Sequence, residues 1–193
     1  MYQILLDSSN TSLTVGVAKD FSLLEFVSYE AWQQQSEYMI PELQKLMEKY
    51  HIDIDDVDAV LVAIGPGSYT GVRISLTIAK TIAATSDIKI YTFSSLQILK
   101  DDDKPSICLI NARSNRSYIG VYQNEKVIIQ DTIYTNEQVN EFIANHPEYS
   151  ICGDTKYLGI AGKIPSLCAQ MLSLIPYMKP IKDPLGIKPA YLK

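Results

Sequence analysis

The feature that most restricts the fold of this chain is an order of elements that occurs twice. "YQILLD", "SLTVGVA" and "SLLEFVSY" are β-branched, apolar runs separated only by the turn signals "SSNT" and "KD". Such close spacing predicts three strands joined as antiparallel hairpins. A helix is expected next, from Glu37 to Tyr50, with Ser36 as its N-cap and Met39, Leu43, Leu46, Met47 and Tyr50 along one face. Pro41 fits only in a first turn, which places the start of the regular helix after Glu37. "VDAVLVAI" then reads as a buried strand. From Ser106 the order restarts with "SICLINA", "RSYIGVY" and "KVIIQDTI", a helix over Asn136 to Asn145, and a short strand "YSIC". Two β-β-β-α-β units in tandem, the second shorter, predict a duplicated α/β fold with mixed sheets.

Between the units lie a second helix (Thr70 to Ala84), a strand "IKIYTF", a short helix "SSLQIL", and the run "DDDK" before Pro105. A charge run ending in proline is the expected hinge, near Asp101 to Pro105, dividing the chain into lobes 1–100 and 105–193. Beyond Lys163, Ile164 to Leu174 is expected to be helical. The tail "PIKDPLGIKPAYLK" carries too many prolines for regular structure and is expected to pack back on the first lobe.

With 193 residues the chain is long enough for a substantial core. Its net charge of −5 gives no overall attraction to a phosphate backbone, so a role in RNA chemistry would run through a partner. Cys108, Cys152 and Cys168 form no CxxC pair, which predicts a reducing, cytoplasmic setting. No basic segment precedes the first apolar run, and no run approaches membrane-spanning length, so neither a signal peptide nor a membrane is expected.

The stretch "AIGPGSYTGVRISLTIAK", Ala63 to Lys80, poses the functional question. Gly65, Gly67 and Gly71 stand between a strand and a helix, as in phosphate-binding loops. Their spacing matches neither the dinucleotide fingerprint nor the P-loop, and Pro66 removes one N–H from any anion nest. A tight strand-to-helix turn is the plainer reading. Gly65 and Gly67 would allow the turn, Thr70 would cap the helix, and Gly71 would keep its first turn slim for an approaching chain. The helix itself has two apolar stripes. Val72, Leu76, Ala79 and Ala83 form one, and Ile74, Ile78 and Ile82 lie nearly opposite, with Arg73, Thr77 and Lys80 between. The second stripe is either core or a contact with another protein, and a contact is the reading followed here. Each isoleucine would then contribute roughly 1.5–3 kcal/mol on burial. Ile40 and Met47, at the edge of the first helix's apolar face, would extend the patch into a four-helix contact, with a homodimer when the partner is absent.

Six segments, "LLDSSNTSLTVGV", "SEYMIPELQKLM", "VDAVLVAIGPGSYTGVRISLTIAK", "INARSNRSYIGVY", "ICGD" and "PAYLK", together resemble the TsaB (YeaZ) family in order and content. The stretch Gly65, Pro66, Gly67, Ser68, Tyr69, Thr70, Gly71, Val72, Arg73 and Ile74 matches that family's signature. Pro189, Tyr191, Leu192 and Lys193 match its last motif. The resemblance implies an actin/Hsp70-like fold of two ribonuclease H-like lobes. It also implies a non-catalytic cytoplasmic subunit of the machinery that makes threonylcarbamoyladenosine beside the tRNA anticodon. The implied partners are the catalytic paralogue TsaD and the ATPase TsaE, with tRNA reached only through the complex. Gln35 stands where the family often has His, and Asn111 where it usually has Asp.

Two enzymatic readings compete with this one. An actin-like phosphotransferase would need an acidic anchor after the first strand of each lobe. Asp7 occupies the first place and Asn111 the second, and the turns "DSSNT" and "NARSN" both lack glycine. For the adenosine loop only Gly153-Asp154 and the Gly159 to Gly162 region are available. A glycoprotease-type peptidase would need a metal site or a nucleophile with a base. His51 and His146 do not form an H-x-x-x-H pair, and Cys152 has no histidine near it in sequence. No cofactor and no metal are expected.

Overall fold

The computed structural model describes residues 1–101 and 103–192. Asp102, inside the expected hinge, and Lys193, the last residue of the expected C-terminal motif, lie outside the described residues. Strands β1 (Tyr2–Asp7), β2 (Ser12–Lys19) and β3 (Ser22–Glu30) form an antiparallel meander. β4 (Val57–Ala63) and β5 (Lys89–Phe93) then add in parallel beside β1, giving the order β3-β2-β1-β4-β5. The central strands are buried on both faces, which is why "ILLD" and "VLVA" read as continuous apolar runs.

Two helices cover one face of this sheet, α1 (Gln35–Lys49) and α2 (Tyr69–Thr85), packed beside each other. Ile4, Leu6, Val15, Val17, Val60, Val62 and Ile90 form a core with Met39, Leu43 and Leu46 of α1 and Leu76 and Ala79 of α2. The alternate residues Leu5, Leu61 and Phe93 face the other way, as a period of two requires.

The second sheet has the order β8-β7-β6-β9, from β6 (Ser106–Arg113), β7 (Arg116–Gln123), β8 (Lys126–Thr135) and β9 (Ser150–Cys152). Helix α3 (Asn136–Asn145) packs on one face through Val139, against Ile107, Leu109, Ile119 and Val121. Thr135 and Gln138 close a capping box at its start. The opposite face, with Cys108, Ile110, Tyr122 and Cys152, packs on Leu99 of the 3-10 segment Gln97–Leu99, on Leu96 just before it, and on Leu167. The chain then returns to the first sheet. Helix α4 (Leu167–Leu174) places Cys168, Met171 and Leu174 on Leu5, Leu61 and Phe93. Ile181 N–H donates to Ile90 C=O (2.8 Å) and Ala190 N–H to Ile64 C=O (2.7 Å). Two β-β-β-α-β units, each building a mixed sheet, are the duplicated actin/Hsp70-like arrangement of ribonuclease H-like lobes. Among the described residues the second sheet gains no strand after β9.

Five local expectations are corrected. Helix α1 starts at Gln35, so Ser36 lies inside it. Its N-cap is Gln34, which makes no side-chain capping bond. Pro41 sits in the helix interior rather than its first turn. Both Pro41 and Glu37, whose carbonyl loses its intrahelical donor, are exposed, so water reaches that carbonyl. The cap of α2 is Ser68 and not Thr70: Gly71 N–H donates to Ser68 Oγ (3.2 Å). Finally, "SSLQIL" forms only a single 3-10 turn, and α4 begins at Leu167, behind Pro165 and an N-capping Ser166.

Candidate functional site

The glycine-rich turn is built around its own chain. Gly65 has φ +103°, which glycine adopts without strain, and the Gly65–Pro66 bond is cis. Gly67 and Gly71 are required for another reason. A Cβ on Gly67 would lie 2.1 Å from Ser9 O, and one on Gly71 would lie 2.0 Å from Ser8 O. The turn between β1 and β2 therefore presses its backbone onto the N-terminus of α2. Ser68 N–H donates to Ser9 C=O (2.7 Å), Ser8 Oγ donates to Gly71 C=O (2.7 Å), and Ser75 N–H donates to Ser8 Oγ (3.3 Å). Ser8 and Ser9 are buried in this contact. What approaches Gly71 is thus the "DSSN" turn of the same chain, which corrects the expectation that Gly71 makes room for a partner.

The residues expected to form a partner contact lie on α1 and α2. Ile40 is 56% exposed. Met47, Ile74, Ile78 and Ile82 are half-buried, each resting partly on the core beneath. The isoleucine stripe therefore serves the protein's own core while leaving apolar surface outside, and it does not point wholly away as the two-stripe pattern suggested. The polar strip between the stripes holds the C-terminal tail. Arg73 Nε donates to Tyr191 Oη (2.7 Å) and Lys80 Nζ donates to Ile187 C=O (3.1 Å). Tyr69 and Tyr191 stack with centroids 5.1 Å apart, and the Arg73 guanidinium lies 3.9 Å from the Tyr69 centroid. Thr70 is exposed at the same end of the helix.

Beside this end of α2 lies a cleft of ≈ 390 Å³, lined by Asn10, Thr11, Trp32, Gly67 to Thr70, Ile110 to Arg113, and Tyr118. Arg113 stands over the Trp32 ring at 5.4 Å. Asn111 Oδ1 accepts from Arg113 N–H (2.8 Å), in a turn where Arg113, Ser114 and Asn115 all have positive φ. Asn111 thus supports the β6–β7 turn. The Trp32–Arg113 pair was not foreseen, because it joins residues distant in sequence.

Deeper between the sheets, Asp7, Glu30, Asp154 and Lys156 line a second, narrower cleft. Asp7 is 4% exposed and accepts from Ser9 N–H (3.0 Å). Burial pushes its carboxyl above the usual carboxylate range, against the pull of the Ser9 bond. A carboxyl so placed orders the β1–β2 turn. His51 is exposed after α1, while His146 ends α3, with Nδ1 2.8 Å from Phe142 O and its ring stacked on Phe142. Among the described residues no group of three or more His, Cys, Asp or Glu is placed to hold a metal ion. No described helix is long and apolar enough to cross a membrane.

Comparison with known proteins adds a family. Residues 26–146 match the family model described as TsaD, tRNA N6-adenosine threonylcarbamoyltransferase. The chain is 31% identical over 135 residues to the tRNA threonylcarbamoyladenosine biosynthesis protein TsaB of Bacillus subtilis, covering 67% of this chain and 58% of that protein. It is 25% identical over 146 residues to TsaB of Buchnera aphidicola (subsp. Schizaphis graminum), covering 72% and 67% respectively. The chain therefore spans little more than half of the Bacillus protein's length. Its fold superposes on YeaZ from Pseudomonas aeruginosa with a TM-score of 0.83, at 20% identity over 99% of both chains.

Proposed function

The chain belongs to the TsaB (YeaZ) family, and from that premise we propose that it is a non-catalytic, cytoplasmic subunit of the machinery that forms threonylcarbamoyladenosine on tRNA. In this reading it is a platform. Its α1–α2 face receives a TsaD-like catalytic subunit, a TsaE-like ATPase joins that assembly, and tRNA is reached through the complex. The same face pairs two copies of the chain when the partner is absent. The observation that carries the reading is the apolar face itself. Ile40 is exposed at 56%, and Met47, Ile74, Ile78 and Ile82 leave further apolar area uncovered on two adjacent helices. A monomer rarely leaves such a face to solvent. The places of a phosphotransferase's acidic anchors support the same reading. Asp7 is buried into a turn, and the second anchor is an asparagine that accepts a backbone hydrogen bond. The division into lobes 1–100 and 105–193 belongs to this proposal, with the first lobe carrying the interface.

The test is co-purification of the chain with a TsaD-like protein, alongside light scattering of the chain alone, for wild type and Ile40→Asp. Both the heteromeric complex and the homodimer should be lost in the variant, with the thermal midpoint unchanged because Ile40 adds little to its own core. Wild-type affinity in a folded Ile40→Asp would place the interface elsewhere. ATP hydrolysis by the isolated chain that disappears in Asp7→Ala would overturn the non-catalytic assignment.

A further inference from the structure

Two cysteines that are distant in sequence face each other across the second sheet. β6 and β9 pair in parallel with Cys108 directly opposite Cys152. Both side chains lie on the same face, in the cluster with Leu96, Leu99 and Tyr122. Neighbouring strands lie about 4.8 Å apart, inside the Cα separation of roughly 4.4–6.8 Å that a disulfide spans. Both thiols are free and buried. Their surroundings differ, however. Cys152 is the last residue of a three-residue edge strand, tied on its outer side by a single bridge to Lys163. It lines a surface cavity of ≈ 560 Å³ shared with Lys100, Asp101 and Lys163. Cys108 lies behind it, on an interior strand.

We propose that Cys108 and Cys152 are a redox-modifiable dithiol, oxidised to a reversible intramolecular disulfide by a small oxidant of the peroxide class. Cys152 is fully buried at rest but sits at the end of the short edge strand beside the cavity, and it reacts first when that strand opens locally. Its thiolate attacks one peroxide oxygen, the O–O bond breaks, and the departing hydroxide takes up the thiol proton as water, leaving a sulfenic acid. The Cys108 sulfur then attacks the Cys152 sulfur, the S–O bond breaks, and the hydroxyl leaves with the Cys108 proton as a second water. Two thiols and one hydrogen peroxide thus become one disulfide and two waters. The electrostatics follow the same order. The bond from Cys108 holds the Cys152 thiol below its ordinary range, while burial raises that of Cys108. Cys168 is an internal control. It is buried in the core beneath the first sheet, against Gly16, where burial pushes its thiol up to about 12.

The test treats the full-length chain with hydrogen peroxide, alkylates it under denaturing conditions and maps its peptides. One peptide linking Cys108 to Cys152 is expected, with the loss of two hydrogen masses and full reversal by dithiothreitol. Cys168 should remain alkylated. In Cys108→Ser a sulfenic acid should accumulate on Cys152 and react with dimedone. Absence of the linked peptide at peroxide levels that oxidise exposed methionine would overturn the proposal, as would linkage through Cys168 or between chains. The wild-type map decides alone if the serine variant does not fold.

Discussion

Replacing Gly71 by alanine tests the account of the glycine-rich turn most directly. The new Cβ would lie 2.0 Å from Ser8 O, 3.2 Å from Ser8 C and 3.1 Å from Ser68 Cβ. The obstacle is backbone and cannot rotate aside, so the Ser8 peptide must retreat by about 1 Å to restore a tolerable contact. That movement acts on bonds made by the same residue, from Ser8 Oγ to Gly71 O and from Ser75 N to Ser8 Oγ. Overpacking of this kind costs about 1–3 kcal/mol, and each strained or lost buried bond costs about 0.5–1.5 kcal/mol. Alanine's better helix propensity returns about 1 kcal/mol. The expected net loss is about 3 kcal/mol, a large part of the roughly 5–15 kcal/mol that holds a domain together.

Gly159→Ala is the control. Gly159 has φ +70° with nothing within 4 Å of its missing Cβ, so only left-handed backbone strain of about 1 kcal/mol is at stake. Urea unfolding followed by circular dichroism reads both variants on one scale. If Gly71→Ala is no less stable than Gly159→Ala, the close approach of the β1–β2 turn is not the reason for a glycine at 71.

Asp7→Asn should stabilise the protein at neutral pH and leave it unchanged in acid. Asp7's folded-state pKa is raised, so its favourable contribution is full below the unfolded value and is lost as pH rises; melts across pH read the difference. Asp101 behaves oppositely. Lys163 Nζ donates to it at 2.6 Å and holds its carboxyl at about 2, below the ordinary 3.8. Its contribution is present above about pH 4 and is lost as pH falls toward 2, so Asp101→Asn should flatten the stability profile over that window. Tyr191→Ala removes the stack on Tyr69 and the acceptor for Arg73, and should cost about 1 kcal/mol. It should also expose the tail to limited proteolysis, whereas Tyr191→Phe, which keeps the stack, should stay resistant.

The strands were legible because each is a short β-branched run bounded by turn residues, and the repeat of three hairpin strands, helix and strand showed the duplication. What was not legible was set by residues distant in sequence. Ser68 and Thr70 are both hydroxyl residues at a helix start. Ser68 becomes the cap because its N–H is already fixed by Ser9, nearly sixty positions earlier. Pro41 looked like a helix start, yet the interior position is tolerated because Glu37 faces water. The Cys108–Cys152 juxtaposition depends on the register of β6 with β9, which no local pattern encodes. The polar strip on α2 was visible as periodicity, but its occupant, the tail carrying Ile187 and Tyr191, joins only in three dimensions.

The glycine signature and the isoleucine stripe therefore answer to different demands, although they share one segment. Gly67 and Gly71 are fixed by the β1–β2 turn, whose carbonyls occupy the space their side chains would need. That contact, with the bonds from Ser8, Ser9 and Ser68, sets where α2 begins and how it is rotated about its axis. The rotation places Leu76 and Ala79 on the sheet. It leaves Ile74, Ile78 and Ile82 at the margin of the same core, half-covered by their own chain. The tail then takes the strip between the stripes through one bond each from Arg73 and Lys80. What remains open on α2 is the half-covered isoleucine edge, among exposed threonines at positions 70, 77, 81 and 85. A helix start locked by backbone contacts presents that surface in one orientation, and the proposed interface, pre-organised in this way, would lose little conformational entropy if a second chain covered it.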